Sequence, residues 1–372
     1  MGLSSVGFFV FLPVVAAVYL HLPHKFQPAF LLAASAAFYL LAAPQMFVVT
    51  AGLAVLTYCL ARGVGTPRRK VWLAGGVTAL LAVLAFFKYG PALNAVLDLG
   101  LPSFAMPLGL SFYTFAAISY LVDAARGDCP VEKNFVIHAL YILFFPTITS
   151  GPICRAGQLM PQLAAEHRFD AARTVDALRL YALGTFKAVA VGRTLHVLVQ
   201  QVVPNYRDYG GWMLMLAVLA YTFYLYFDFS GYSESARAAA LMMGIQLPEN
   251  FKTPFFATNF SGFWNRWHIS FSSWLQDYLF MPLAWADVSK LTRGRRERLP
   301  VWLCLLCVFL VSGFWHGNTL PYVLWGLLQA VYRIGEEVLH RRLGKPKKKA
   351  PAAQQWGKRA VVFALWSFSM VF

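Results

Sequence analysis

The chain has 372 residues, of which 59% are apolar, 16% aromatic and only 13% charged. A soluble globular protein carries about 25% charged residues, and this chain has too little polar surface to cover itself in water, so a soluble enzyme is excluded. Disorder is excluded too, because it needs low hydrophobicity and high charge.

Long continuous apolar runs point to an all-α, polytopic membrane protein rather than to the short alternating strands of a membrane β-barrel. The net charge is +16. Its Lys and Arg residues lie mostly between the apolar runs, which is the positive-inside pattern of a membrane chain. Membrane lipid is therefore the expected surroundings, and nucleic acid is not an expected partner.

The first run, residues 4–20, has no Lys or Arg before it and reads as a retained membrane helix, not a cleaved signal. Further runs lie near 28–43, 45–61, 71–87, 104–122, 136–153, 177–203, 212–229, 263–286, 301–316, 320–333 and 360–372. A span needs about 20 residues, so about ten or eleven membrane helices are expected, in one domain over 1–372. The run at 263–286 is too polar for a clean span, and 320–333 is too short. The apolar residues after Arg359 are too few to span, and a partial segment or a longer natural chain would account for them. Cys304 and Cys307 sit in an apolar run without a nearby His, so they read as small packing residues and no metal site is expected.

Charge sets the orientation. The clusters at 62–70, 293–298 and 341–349 are expected to be cytoplasmic, with the N-terminus outside. From Arg298 the run 301–316 climbs outward, about 22 Å at 1.5 Å per residue. His316 should then lie deep in the membrane, nearer its outer face. The chain returns to a basic stretch at Arg333 within a few turns, which keeps His316 inside the protein.

Intramembrane ionisable residues are costly and are candidates for function. Three segments carry them. In SGFWHGN (312–318), His316 stands between Trp315 and Gly317, with Asn318 beyond. Neutral imidazole accepts a proton near pH 7, as activation of a hydroxyl requires. Gly313 and Gly317 permit close backbone approach and a helix break. In FWNRWHISFSSWLQDYLFMPL (263–283), Trp264, Trp267, His268, Phe271, Trp274, Leu275 and Tyr278 recur at helical spacing, with Arg266, Ser270, Ser273 and Asp277 on the other face. This reads as one amphipathic helix, either an interfacial anchor or a passage wall carrying Asn265, Arg266, Trp267 and His268. In YLYFDFSGYSESARAAALMMGIQLPENF (224–251), Asp228 ends an apolar run and needs partners, either as a structural pairing of helix ends or, second to that, in the chemistry itself. No P-loop, dinucleotide fingerprint, HExxH or GxSxG motif is present.

These pieces, together with MPLGLSFYTFAAISYLVD, SGPICRAGQLMPQL and GIQLPENFKTPF, resemble in order the membrane-bound O-acyltransferase family. The likeness is strongest to its bacterial branch of alginate O-acetylation and teichoic-acid D-alanyl transfer proteins. The resemblance implies a ring of tilted helices around a funnel, with His316 as the catalytic histidine and His268 as a second histidine on the same passage. It implies an acyltransferase of the bacterial inner membrane that moves an acyl group, acetyl foremost, to an extracytoplasmic envelope polysaccharide. The donor would be a cytoplasmic thioester, acetyl-coenzyme A or an acyl carrier protein, with no bound cofactor. An extracytoplasmic esterase-like partner would complete delivery. D-alanyl transfer from a carrier protein is the alternative within the family, and a lipid or polymer transporter is the alternative outside it. After FMPL the sequence AWADVSK departs from the alginate-type pattern, and the family's further helices beyond the position of Phe372 are missing.

Overall fold

The computed structural model describes residues 2–98, 100, 105–289, 297–344 and 351–372. Arg293, Arg295, Arg296, Lys345, Lys347, Lys348 and Lys349, on which two of the basic-loop expectations rest, lie outside the described residues. Among the described residues every regular element is helical. Five stretches are long and apolar enough to cross a membrane: His24–Ala42, Pro44–Val64, Arg69–Leu97, Ala171–Val202 and Gly211–Met242. Val6–His21 and Val301–His316 are shorter apolar helices. The chain separates into two compact units, one of residues 1–191 and 227–249, the other of 192–226 and 250–372.

The first unit holds α1 (Val6–His21), α2 (Gln27–Ala42), α3 (Phe47–Val64), α4 (Arg69–Leu97), α5 (Leu110–Arg126), α6 (Phe135–Leu143), α7 (Ala156–Ala164) and α8 (Ala171–Thr185). Local chemistry sets several ends. The Ser5 hydroxyl accepts from Phe8 N–H, Asn134 from Val136 and Asp170 from Arg173, the side-chain caps that free helix N-termini require. Gly127, at φ 89°, closes α5 in the left-handed conformation. Phe8, Phe38 and Phe145 are enclosed and meet at ring-centroid distances of 5.7–6.0 Å. Polar groups inside are matched to each other. Thr50 Oγ1 lies 2.8 Å from the Tyr39 hydroxyl and 3.1 Å from that of Tyr113, and the Gln27 amide bonds both backbone groups of His167. A π-helical stretch, Phe186–Gly192, follows α8 and brings Lys187 to Glu234 at 2.5 Å.

The second unit holds α9 (Arg193–Val202), the first half of α10 (Gly211–Met242), α11 (Phe260–Trp264), α12 (Ile269–Leu275), α13 (Met281–Trp285), α14 (Val301–His316), α15 (Leu320–Leu343) and α16 (Ala352–Ser369). Two boundaries differ from the sequence reading. α10 runs on through Asp228 to Met242, because nothing at Asp228 breaks the helical backbone. α15 has 24 residues and carries its apolar start and basic end in one helix. α14 and α15 form a hairpin in which side chains are absent at the crossing. A Cβ on Gly313 would meet the Tyr322 carbonyl at 2.5 Å, and one on Gly326 the Phe309 carbonyl at 2.5 Å. α16 is tied to α15 by Gln329 Nε2 donating to Ser369 Oγ (2.9 Å) and by the Tyr332 hydroxyl donating to the Leu365 carbonyl (3.2 Å).

Candidate active site

The segment 260–280 is not one continuous helix. α11 ends at Trp264, and α12 begins only at Ile269. Between them His268 adopts φ 43°, ψ 54°, the left-handed region that an L-residue with a Cβ enters rarely. The break is held by a strand-like segment 20 residues upstream. Lys252 N–H donates to the Arg266 carbonyl (2.9 Å), and Ile269 N–H to the Asn250 carbonyl (2.9 Å). Ser270 N–H donates to Asn250 Oδ1 at 3.0 Å. Beyond α12 a π-helical stretch, Gln276–Phe280, turns the chain again.

The break separates the residues read as one face. Trp264 and Asn265 line a cavity of about 430 Å3. Arg266 turns to the upstream segment, where its Nη1 lies 3.5 Å from Thr253 Oγ1. Trp267 is buried among Phe251, Phe263 and Trp366, at 5.1, 5.7 and 4.9 Å between ring centroids. His268 is buried, 3% exposed.

His316 is the last residue of α14 and is exposed. Gly317 follows in extended backbone, with the Tyr322 ring filling the place of a Cβ. The His316 ring is fenced by four aromatics: Trp315 at 4.6 Å, Trp325 edge-on at 4.9 Å, Tyr322 nearly parallel at 6.4 Å and Phe271 edge-on at 6.5 Å. Trp315 also links the two histidines, since its ring lies 6.4 Å from His268 and 4.3 Å from Phe271, itself stacked 5.1 Å from His268. His268 and His316 therefore belong to one aromatic cluster, which the sequence reading placed on one passage. Asn318 lies in the exposed turn between α14 and α15. Asp228 is an exposed residue on the part of α10 that belongs to the first unit.

The cavity runs beside this cluster. Its wall includes Ile269, next to His268, and Ser312, one helical turn before His316, together with Ser272, Ser273, Gln276 and Arg333. Arg333 looked like the start of a basic loop. Instead its Nη1 pairs with Glu336 Oε2 at 3.2 Å, and that same oxygen accepts Ser261 N–H at 3.1 Å. One face of an otherwise surface-like helix thus presents a guanidinium to the cavity. A site of this size, mostly apolar with a few directed polar groups, is of the kind that takes a small ligand. Among the described residues no group of three or more His, Cys, Asp or Glu side chains could hold a metal ion.

A family model described as the membrane-bound O-acyltransferase family matches residues 132–371. The chain is 34% identical to a probable alginate O-acetylase of Pseudomonas putida, over 90% of this chain and 70% of that protein. It is 31% identical to a peptidoglycan O-acetyltransferase of Helicobacter pylori, over 71% of this chain and 54% of that protein. To a teichoic acid D-alanyltransferase of Bacillus subtilis it is 33% identical, over 60% of this chain and 57% of that protein. It spans a little over half the length of the last two relatives.

Proposed function

Because the chain belongs to the membrane-bound O-acyltransferase family, and is an integral membrane acyltransferase, we propose that it moves an acetyl group from a cytoplasmic thioester donor to hydroxyls of an extracytoplasmic envelope polysaccharide. His316 is the general base. Its imidazole takes the proton of the acceptor hydroxyl, or of a hydroxyl on an extracytoplasmic partner. The oxygen attacks the thioester carbonyl, the C–O bond forms, the C–S bond breaks, and the proton passes to the departing thiolate. The cavity beside α14 holds the arm of the donor, with Asn265, Ser312 and Arg333 as polar contacts, and His268 borders the same passage. Holding both reactants at one constriction supplies the proximity term.

The observation that carries this reading is the aromatic cluster joining an exposed His316 to a buried His268 alongside a 430 Å3 cavity. Two of the relatives are named O-acetylating enzymes of envelope polymers, which favours acetyl as the group moved. D-alanyl transfer from an acidic carrier protein is the second reading, supported by the D-alanyltransferase relative. Mass spectrometry of envelope polymers from cells with the wild-type chain, with His316→Ala and with no chain decides. The proposal expects O-acetyl groups only with the wild type. D-alanyl esters in their place would select the second reading, and unchanged acetylation with His316→Ala would remove His316 as the base.

A further inference from the structure

His268 sits in a backbone conformation that its own sequence does not favour, and something must hold it there. Three hydrogen bonds converge on the break from residues 250–253. They are Lys252 N–H to the Arg266 carbonyl, Ile269 N–H to the Asn250 carbonyl, and Ser270 N–H to Asn250 Oδ1, at 2.9, 2.9 and 3.0 Å. Thr253 is itself left-handed, at φ 46°, so the chain bends sharply on both sides of this pairing. Asn250 alone supplies two of the three bonds, both to the residues immediately after His268. It is 1% exposed. Its Oδ1 is used, while its Nδ2 has no partner among the described residues. The His268 carbonyl in turn accepts the N–H groups of Phe271 and Ser272, at 3.0 and 2.9 Å, which starts α12.

From this geometry we propose that Asn250 is a positioning residue for His268, fixing through its carbonyl and Oδ1 the backbone turn that aims the imidazole at the Trp315–His316 cluster. The inference rests on the reading in which His268 borders the acyl passage. The two bonds take the Ile269 and Ser270 amides, two of the N–H groups that open α12 without an intrahelical partner. The second fixes the residue pair at 269–270 relative to the left-handed His268, and so fixes where the ring points. A displacement of the order of 1 Å is enough to cost about a hundredfold in rate at a reacting centre.

The test is a double-mutant cycle on the full chain in membrane vesicles, with radiolabelled acetyl-coenzyme A as donor and the cell's own envelope polysaccharide as acceptor. Initial rates are taken per unit of folded protein. Asn250→Ala is expected to lower kcat about 10–100-fold with the donor KM moved less than about twofold. Asn250→Asp keeps the used oxygen and replaces the unused amide by the second oxygen of a carboxyl group, so a variant of normal stability should retain most of the rate. In a His268→Ala background, Asn250→Ala should lower the rate no further. Should Asn250→Ala fail to accumulate, Asn250→Ser, too short to reach the Ser270 amide, runs the same cycle. Equal losses from Asn250→Ala with and without His268 would overturn the proposal, as would an Asn250→Asp protein of normal stability that is as slow as the alanine variant. A His268→Ala chain at the wild-type rate would instead remove the role of His268 itself, and the proposal with it.

Discussion

Each unit encloses ionisable side chains, and the two differ in the space around them. In the first, Lys187 and Glu234 pair at 2.5 Å, 18% and 17% exposed, where Gly184 and Gly231 bring two backbones into contact. Ser230, Ser233 and Ser235 are buried on the same stretch of α10. A cavity of that unit, lined in part by Tyr113, Tyr141 and Cys154, measures about 20 Å3, room for about one water. In the second unit His268 is buried and His316 is exposed, and a cavity of about 430 Å3 is lined by Ile269 and Ser312 among others. A charge inside a membrane protein is a candidate for function by default. Surroundings sort the candidates: the Lys187–Glu234 pair neutralises itself, whereas each histidine has a chain neighbour in the cavity wall, Ile269 beside His268 and Ser312 one helical turn before His316.

The contrast can be broken most forcefully at His316. Its replacement by Ala should reduce acyl transfer about 10²–10⁴-fold, with detergent melting unchanged. His316→Gln should fail equally, since it keeps a hydrogen bond but takes no proton. Near-normal transfer by the Gln variant would place His316 among the structural residues.

At the ion pair the expected effect is on stability. Glu234→Gln alone leaves a part-buried ammonium without its counter-charge and should lower stability, whereas Lys187→Met with Glu234→Leu should restore most of the loss. Transfer per folded molecule should stay at the wild-type rate in both. A dead but stable Glu234 variant would put chemistry in the first unit as well.

Arg333→Lys sharpens the reading of the cavity. It keeps a positive charge for Glu336 but loses the planar fork of donors. The donor KM should rise about three- to tenfold with kcat unchanged, measured with acetyl-coenzyme A. The smallest effect belongs to Tyr322→Phe. Its ring against Gly317 and His316 is what the geometry uses, so loss of the hydroxyl should alter kcat by less than about twofold.

Much of this was legible in the sequence, for physical reasons that also mark where legibility stopped. Apolar runs report a lipid-facing helix directly, and the WHG stretch at the end of α14 carries both the histidine and the glycine that ends the helix. The break at 265–268 was not legible. Helical periodicity runs straight through it, and what interrupts it is a set of hydrogen bonds from residues 250–252. Asn250 was passed over for that reason, although its place in LPENF, between α10 and the aromatic segment, was a usable signal. Arg333 looked like the start of a cytoplasmic stretch because charge alone does not say which face of a helix it occupies. Asp228 was grouped with the histidines by its chemistry, and the fold places it in the other unit. Lys187 and Glu234 are 47 residues apart, so their pairing belongs to tertiary structure alone.

The glycine crossing of α14 and α15 has an evolutionary consequence. Where Gly313 and Gly326 meet carbonyls directly, no side chain exists to be trimmed, and any larger residue collides with backbone. The spacing of the two helices at this crossing is therefore closed to gradual change. If the cavity takes the acyl donor as proposed, a descendant that accepts a bulkier group has to acquire the room by trimming lining side chains, such as Leu305, Val308 and Phe309 on α14 or Gln276 and Phe280 earlier in the chain, and not by parting the hairpin. Mutational drift in donor preference should accumulate at those side chains, while Gly313 and Gly326 stay fixed.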